Sequence, residues 1–126
     1  MRYVTPDHMI EDVHTLTTAK TLEEIRSILK QFGDEILADY SGDPAADAKI
    51  TPLETDGDYA IGITGKICHG MRTPCWTLRI KVTDAGDQRI VETTAVGDEV
   101  EVSEGQCWQI KDSIRRRDQL EEMINA

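Results

Sequence analysis

The chain has 126 residues, about the length of one domain, and we expect a single acidic domain over residues 1–126. Its 24 acidic and 14 basic residues give a formal net charge of −10, which argues against non-specific nucleic-acid binding by the whole surface. The sequence contains no run of 18 apolar residues and no apolar signal-peptide segment, so it predicts a cytoplasmic protein that does not span a membrane.

The first predicted element is a helix over about 6–16. Thr5 is a suitable N-cap, and Pro6 fits the first helical position, where its missing N–H would have no partner. Apolar residues then follow at helical spacing, at Met9, Ile10, Val13 and Leu16. His8 and Asp12 lie four residues apart, a spacing that on a helix predicts a surface ion pair rather than a metal site or an acid/base dyad.

A second N-terminal helix is predicted over about 22–40. Thr21 and Glu24 form a capping box, in which each side chain bonds a free backbone N–H of the other. One apolar stripe follows, at Leu22, Ile25, Leu29, Phe32, Ile36 and Tyr40. The next segment, 41–49, is small and polar and contains Asp-Pro, which predicts a loop.

Two strands are predicted at Tyr59–Cys68 and Cys75–Val82, because apolar and polar residues alternate there. Gly70-Met71 suits the centre of a type II′ hairpin turn between them. A third strand is predicted over Arg89–Val96 after the turn residues Ala85 and Gly86, with a short extension at Val100–Val102.

The last predicted element is a helix over about 104–124, opened by a second capping box at Ser103 and Gln106. Three consecutive arginines interrupt its apolar face, so Arg117 is predicted to lie along the edge of that face with its stem buried. The predicted class is α+β, with two N-terminal helices, a three- to four-stranded antiparallel sheet and a C-terminal helix packed on one sheet face.

Charge is unevenly spread along the chain. Residues 59–83 contain four basic residues and no acid. Alternation places Lys66, Arg79 and Lys81 on the sheet face opposite the apolar one. Three interpretations follow: a face that is solvated or balanced by the protein's own acids, a contact surface for anions or nucleic acid, and a surface that docks a protein.

The best candidate metal ligands are three residues of the same hairpin and one cysteine that follows it in the sequence. Cys68, His69, Cys75 and Cys107 are the residues concerned, but six residues separate Cys68 from Cys75, whereas structural zinc sites favour close cysteine pairs. We therefore expect no metal and no cofactor. Phosphate-binding loops, nucleophile elbows and His-Glu-x-x-His motifs are also missing from the sequence, so it predicts no enzyme mechanism.

Two hairpin registers keep the apolar faces aligned. If Ile67 pairs with Trp76, Cys68 lies directly opposite Cys75, close enough for a disulfide after a small adjustment. If Gly70-Met71 forms the turn, Cys68 lies opposite Thr73 and the thiols are diagonal. We expect reduced thiols in the cell.

These observations favour a non-enzymatic acidic protein that docks on a protein with a basic surface and binds no nucleic acid directly. In size and charge the chain resembles small acidic inhibitors from phages and plasmids and bacterial immunity proteins. The candidate partner-binding residues are Glu23, Glu24, Lys66, Arg79 and Lys81. The alternative is a small ligand- or metal-binding domain, or an enzyme subunit, with a site on the 59–83 hairpin around Cys68, His69 and Arg79.

Overall fold

A computed structural model describes residues 2–4, 10–40, 47–55, 58–68, 71–97 and 110–126. The described elements are six strands and two helices: β1 (Arg2–Val4), β2 (Ile10–Thr18), α1 (Leu22–Tyr40), β3 (Asp47–Thr55), β4 (Asp58–Cys68), β5 (Met71–Asp84), β6 (Arg89–Gly97) and α2 (Ile110–Asn125). The α+β class is therefore confirmed. Neither described helix has the length and apolar character that crossing a membrane requires.

The strands form one antiparallel sheet in the order β1-β2-β6-β5-β4-β3. Both helices lie on one face, which we call the inner face. There α2 packs across β5, β6 and β2, while α1 packs beside α2 and against β3. The predicted C-terminal helix on one sheet face is confirmed, but the described residues form a sheet of six strands rather than three or four.

The predicted helix over 6–16 is wrong. Residues 10–18 form β2, which pairs with β6 along its whole length, from Ile10 opposite Gly97 to Thr18 opposite Arg89. The segment is rich in β-branched residues, which lose side-chain freedom in a helix and pack well on a pleated surface. Of the predicted His8–Asp12 pair, Asp12 lies on this strand and His8 lies outside the described residues.

The predicted loop over 41–49 is wrong at its end, because residues 47–49 already belong to β3. Pro52 lies at the middle of this strand, opposite Ile61 of β4. Proline donates no backbone hydrogen bond and is tolerated in strands mainly at sheet edges, which is where the topology places β3.

The β4–β5 hairpin is confirmed, in the second of the two predicted registers over most of its length. Tyr59 lies opposite Val82 and Ile63 opposite Leu78. The register then shifts near the turn, so that Cys68 lies opposite Met71. Met71 is therefore a strand residue, and the predicted Gly70-Met71 turn centre is wrong.

The sequence predicted α1 and β6 within their observed bounds. The turn before β6 contains Gly86, whose φ of 90° favours glycine, and its N–H donates to Asp84 Oδ1 at 3.1 Å. The predicted C-terminal helix is confirmed from Ile110 onwards, whereas the extension at 100–102 and the capping box before the helix lie outside the described residues.

The core lies between the helices and the inner face. Thirteen of the described side chains there are buried and apolar: Ile10, Ile25, Leu29, Phe32, Ile36, Leu78, Ile80, Val82, Val91, Ala95, Ile110, Leu120 and Ile124. On β5, Arg79 and Lys81 alternate with the buried residues and are exposed on the opposite, outer face. The prediction of one apolar and one basic face is thus confirmed for this strand.

Candidate functional site: charged groups on both layers

On the outer face, Arg79 is paired with an acid of the same chain. Its Nη2 donates to Glu11 Oε1 at 2.8 Å. Arg79 lies on β5 and Glu11 on β2, so the arginine reaches across β6 to the second strand away. This contact fits the interpretation in which the protein's own acids balance the basic face.

The other two predicted basic residues have different surroundings. Lys81 is exposed on the outer face, where Glu92 of β6 is its cross-strand neighbour. Lys66 lies on β4 opposite Pro74, and its side chain lies outside the described part of the structure. Acidic residues of β2 and β6 therefore lie beside the hairpin of residues 59–83, which contains no acid.

Glu23 and Glu24 have separate roles at the start of α1. The Glu24 carboxylate accepts bonds from the Thr21 backbone N–H at 3.3 Å and the Thr21 hydroxyl at 3.2 Å. The Glu24 N–H donates in turn to Thr21 Oγ1 at 3.2 Å, which completes the predicted capping box. Glu23 is exposed and, among the described residues, makes no hydrogen bond or ion pair.

This capping box predicts a stability effect. Thr21→Ala should lower the free energy of unfolding by about 1 kcal/mol, because it leaves a backbone N–H at the helix start without its acceptor. Urea denaturation measures the change. Ser27→Ala, on the exposed face of the same helix, is the control and should stay within about 0.5 kcal/mol of wild type. Equal effects of the two substitutions would contradict the capping role.

Polar side chains join the two helices, which run antiparallel. Arg116 Nη2 donates to Asp39 Oδ2 at 2.6 Å, and Gln119 Nε2 donates to Glu35 Oε2 at 2.8 Å. Beside this junction, α1 borders an open depression of about 430 Å³. Its described lining is Ser27, Lys30, Gln31, Asp34, Glu35 and Ala38, and two bonds link members of that lining, Lys30 to Asp34 and Gln31 to Glu35.

Arg117 joins α2 to the sheet from a buried position. Only 2% of it is exposed, and its Nη1 donates to the Asp12 backbone carbonyl at 3.1 Å. Its Nη2 lies 3.6 Å from Asp12 Oδ2, and Arg2 approaches the same carboxylate at 3.8 Å. Arg117 was predicted to have only its stem buried, but its guanidinium is buried as well.

Among the described side chains, basic and acidic residues differ in how completely they are paired. Every described lysine and arginine has a partner. Five exposed carboxylates, by contrast, make no hydrogen bond or ion pair within the described structure: Glu23, Asp87, Glu92, Asp118 and Glu122. The negative charge that remains after internal pairing is therefore displayed on the surface.

Three of these carboxylates lie at one end of the molecule. Lys20 Nζ donates to the Ala126 backbone carbonyl at 2.7 Å, which joins the start of α1 to the end of α2. At the same end, Thr18 of β2 lies opposite Arg89 of β6, next to the β5–β6 turn. We call the set of Glu23 on α1, Asp87 in that turn and Glu122 in the last turn of α2 the acidic end.

No protein-family model matches this sequence, and no curated protein matches it. Among solved structures, it is similar to the crystal structure of the vertebrate conserved region of human METTL16. The TM-score is 0.39 at 12% sequence identity, over 88% of this chain and 98% of that one. At that level the similarity supports no conclusion about function.

The hairpin alternative depends largely on side chains outside the described set. These are Cys68, Cys75, His69 and Cys107, of which only Cys68 and Cys75 have a described backbone. Among the side chains that the structure describes, no group of three or more histidines, cysteines and acids could hold a metal. The backbone register places Cys68 opposite Met71 rather than Cys75, so the directly opposed register is wrong.

Proposed function

We propose that this chain is a non-enzymatic acidic binding protein that docks on a basic protein partner, as an inhibitor or immunity-type protein would. The observation that supports it is the asymmetry of pairing: the described cations all have partners, while five exposed carboxylates have none. Unpaired surface charge produces a field that guides an oppositely charged partner and sets which partners are accepted.

The acidic end is the proposed docking site. Its carboxylates come from three segments of the chain, so the fold is needed to bring them to one end. Glu122 adds an energetic argument, because it lies in the last turn of α2, where the helix dipole favours cations and no basic residue is present. Asp118, one turn earlier, also has no described partner, and like charges four residues apart repel. A basic partner relieves both effects.

Glu23 is the member of the acidic end that the sequence predicted. Glu24, predicted with it, is the less suitable residue for a binding test, because its carboxylate already caps α1. Charge reversal at Glu24 would weaken the helix as well as change the surface. Glu122 has no such structural role among the described residues, so its variant reports on docking. Glu23 lies in the first turn of α1, where the helix dipole favours an acid, so its variant also changes helix stability.

Charge reversal at Glu122 is expected to weaken binding without a loss of stability. Glu122→Lys should slow association with the basic partner about threefold to tenfold at low salt, with a smaller effect as salt rises. The same change should raise the free energy of unfolding by about 0.5 kcal/mol, because it places a cation at the helix C-terminus. Glu23→Lys should slow association similarly, but it should lower the free energy of unfolding by about 0.5 kcal/mol, because it places a cation at the start of α1.

The matched control is Asp34→Lys, which makes the same change in charge on the exposed face of α1. It lies eleven residues after Glu23, roughly 16 Å along the helix, beyond the distance at which physiological salt screens charge. Wild type and each variant are used as baits in a pull-down from the native host, and association rates are then measured with the recovered protein. The proposal is wrong if wild type retains no stoichiometric basic partner, or if Asp34→Lys slows association as much as Glu122→Lys.

A further inference from the structure

One edge of the sheet is incompletely covered. On one side, β2 pairs with β6 along its full length. On its other side, β2 pairs with β1 only across Ile10–Asp12. We call residues His14–Thr18 the open β2 edge. In an antiparallel strand, alternate residues direct their backbone N–H and C=O groups to opposite sides. Within this stretch, every second residue therefore directs them away from β6, where the described chain provides no further strand.

The open β2 edge lacks the features that usually prevent strand pairing. Its sequence, His-Thr-Leu-Thr-Thr, contains no lysine, arginine, acid, proline or glycine, and three of its five residues are β-branched threonines. Thr15 and Thr17 are exposed. The opposite edge strand, β3, differs, because it contains Pro52 and the charged residues Asp47, Lys49 and Glu54. Among the described residues, one edge is thus protected and the other is able to pair.

An unpaired carboxylate lies one strand inside this edge. Glu92 of β6 is directly opposite Thr15, exposed on the outer face. A cationic side chain on a strand added beyond β2 would need to reach across β2 to meet it. Arg79 demonstrates such a reach, because it spans β6 to contact Glu11 at 2.8 Å. A lysine or arginine opposite Thr15 on an added strand is therefore placed to pair with Glu92.

We propose that the open β2 edge binds an extended segment of a basic partner by strand addition, with a lysine or arginine of that segment paired to Glu92. The inference rests on the proposed function only for the basic character of the partner. Main-chain hydrogen bonds provide affinity in this mode, and alternate side chains provide specificity. A second copy of this chain is a poorer occupant, because it would bring another net charge of −10.

A synthetic peptide tests strand addition without the natural partner. The probe is an eight-residue peptide of alternating lysine and valine, and its control is the same peptide with every amide N-methylated, which keeps the charge but removes the donors. The unmodified peptide should bind about tenfold more tightly. At saturation, amide hydrogen exchange measured by NMR should slow at least tenfold at alternate residues of His14–Thr18.

Two variants distinguish a specific contact with Glu92 at the open β2 edge from general electrostatic attraction to the acidic protein. Glu92→Gln should weaken binding of the unmodified peptide about twofold to fivefold. Asp34→Asn, an equal charge change on α1, should leave it unchanged. Equal binding of both peptides with no protection at the open β2 edge would overturn strand addition, while the acidic end would stay open to its own test. Protection of these amides that grows with concentration of the free protein would instead assign the edge to a second copy.

Discussion

Arg117→Ala is expected to lower the free energy of unfolding by about 3 kcal/mol. The substitution removes a buried arginine, 2% exposed, whose guanidinium donates to the backbone carbonyl of Asp12 and lies 3.6 Å from its carboxylate. The Asp12 side chain, itself only 15% exposed, would lose its buried partner. A void would also replace the arginine stem between α2 and the sheet. Urea denaturation of both proteins measures the loss.

Two further variants show how much of this loss of stability comes from the burial and the charge of Arg117. Arg115→Ala removes an arginine two residues earlier whose side chain is 70% exposed, so the free energy of unfolding should change by less than about 0.5 kcal/mol. Arg117→Met keeps an unbranched apolar stem and removes the charged group, including Nε, which is buried without a partner. It should destabilise less than Arg117→Ala. If Arg117→Ala were tolerated as well as Arg115→Ala, the buried contact with Asp12 would be refuted.

The sequence predicted those elements whose pattern is both local and unambiguous. α1 combines a capping box with one long apolar stripe, and its predicted bounds agree with the observed Leu22–Tyr40. The β4–β5 hairpin alternates over most of its length, and on β5 the structure buries Leu78, Ile80 and Val82 on one face. Residues 10–18 were ambiguous, because their few apolar residues fit a helical spacing. Pairing with β6 decides in favour of a strand, and that partner lies far away in the sequence.

Much of the candidate site was hidden for the same reason. Arg79 was predicted to lie on a basic face, but its partner Glu11 is 68 residues away and adjacent only through β6. The acidic end also combines three separate segments, and of its members only Glu23 was predicted. Glu122 had a visible sequence feature, an acid in the last turn of a predicted helix that has no basic residue there. That local conflict was the available indication of the proposed docking site.

Phe32→Ala is expected to have the largest effect on stability, about 4 kcal/mol. Phe32 is the only phenylalanine of the chain and is 0% exposed within the core. Truncation removes most of the apolar surface of this side chain and leaves a cavity between α1 and its neighbours, which close packing prevents from collapsing fully. The measurement is the unfolding free energy from urea denaturation, with the slope checked for two-state behaviour.

Leu37→Ala is the comparison on the same helix, because Leu37 is 40% exposed and should cost less than about 1 kcal/mol. Comparing Phe32→Ala with Glu122→Lys also distinguishes a residue that stabilises the position of α1 from a residue that is proposed to contact the partner. Phe32 holds α1 in place, and α1 supplies Glu23 to the acidic end. Phe32→Ala should therefore reduce partner binding only in proportion to the unfolded fraction, whereas Glu122→Lys should reduce it in fully folded protein. A Phe32→Ala protein as stable as Leu37→Ala would show that the core does not depend on this ring.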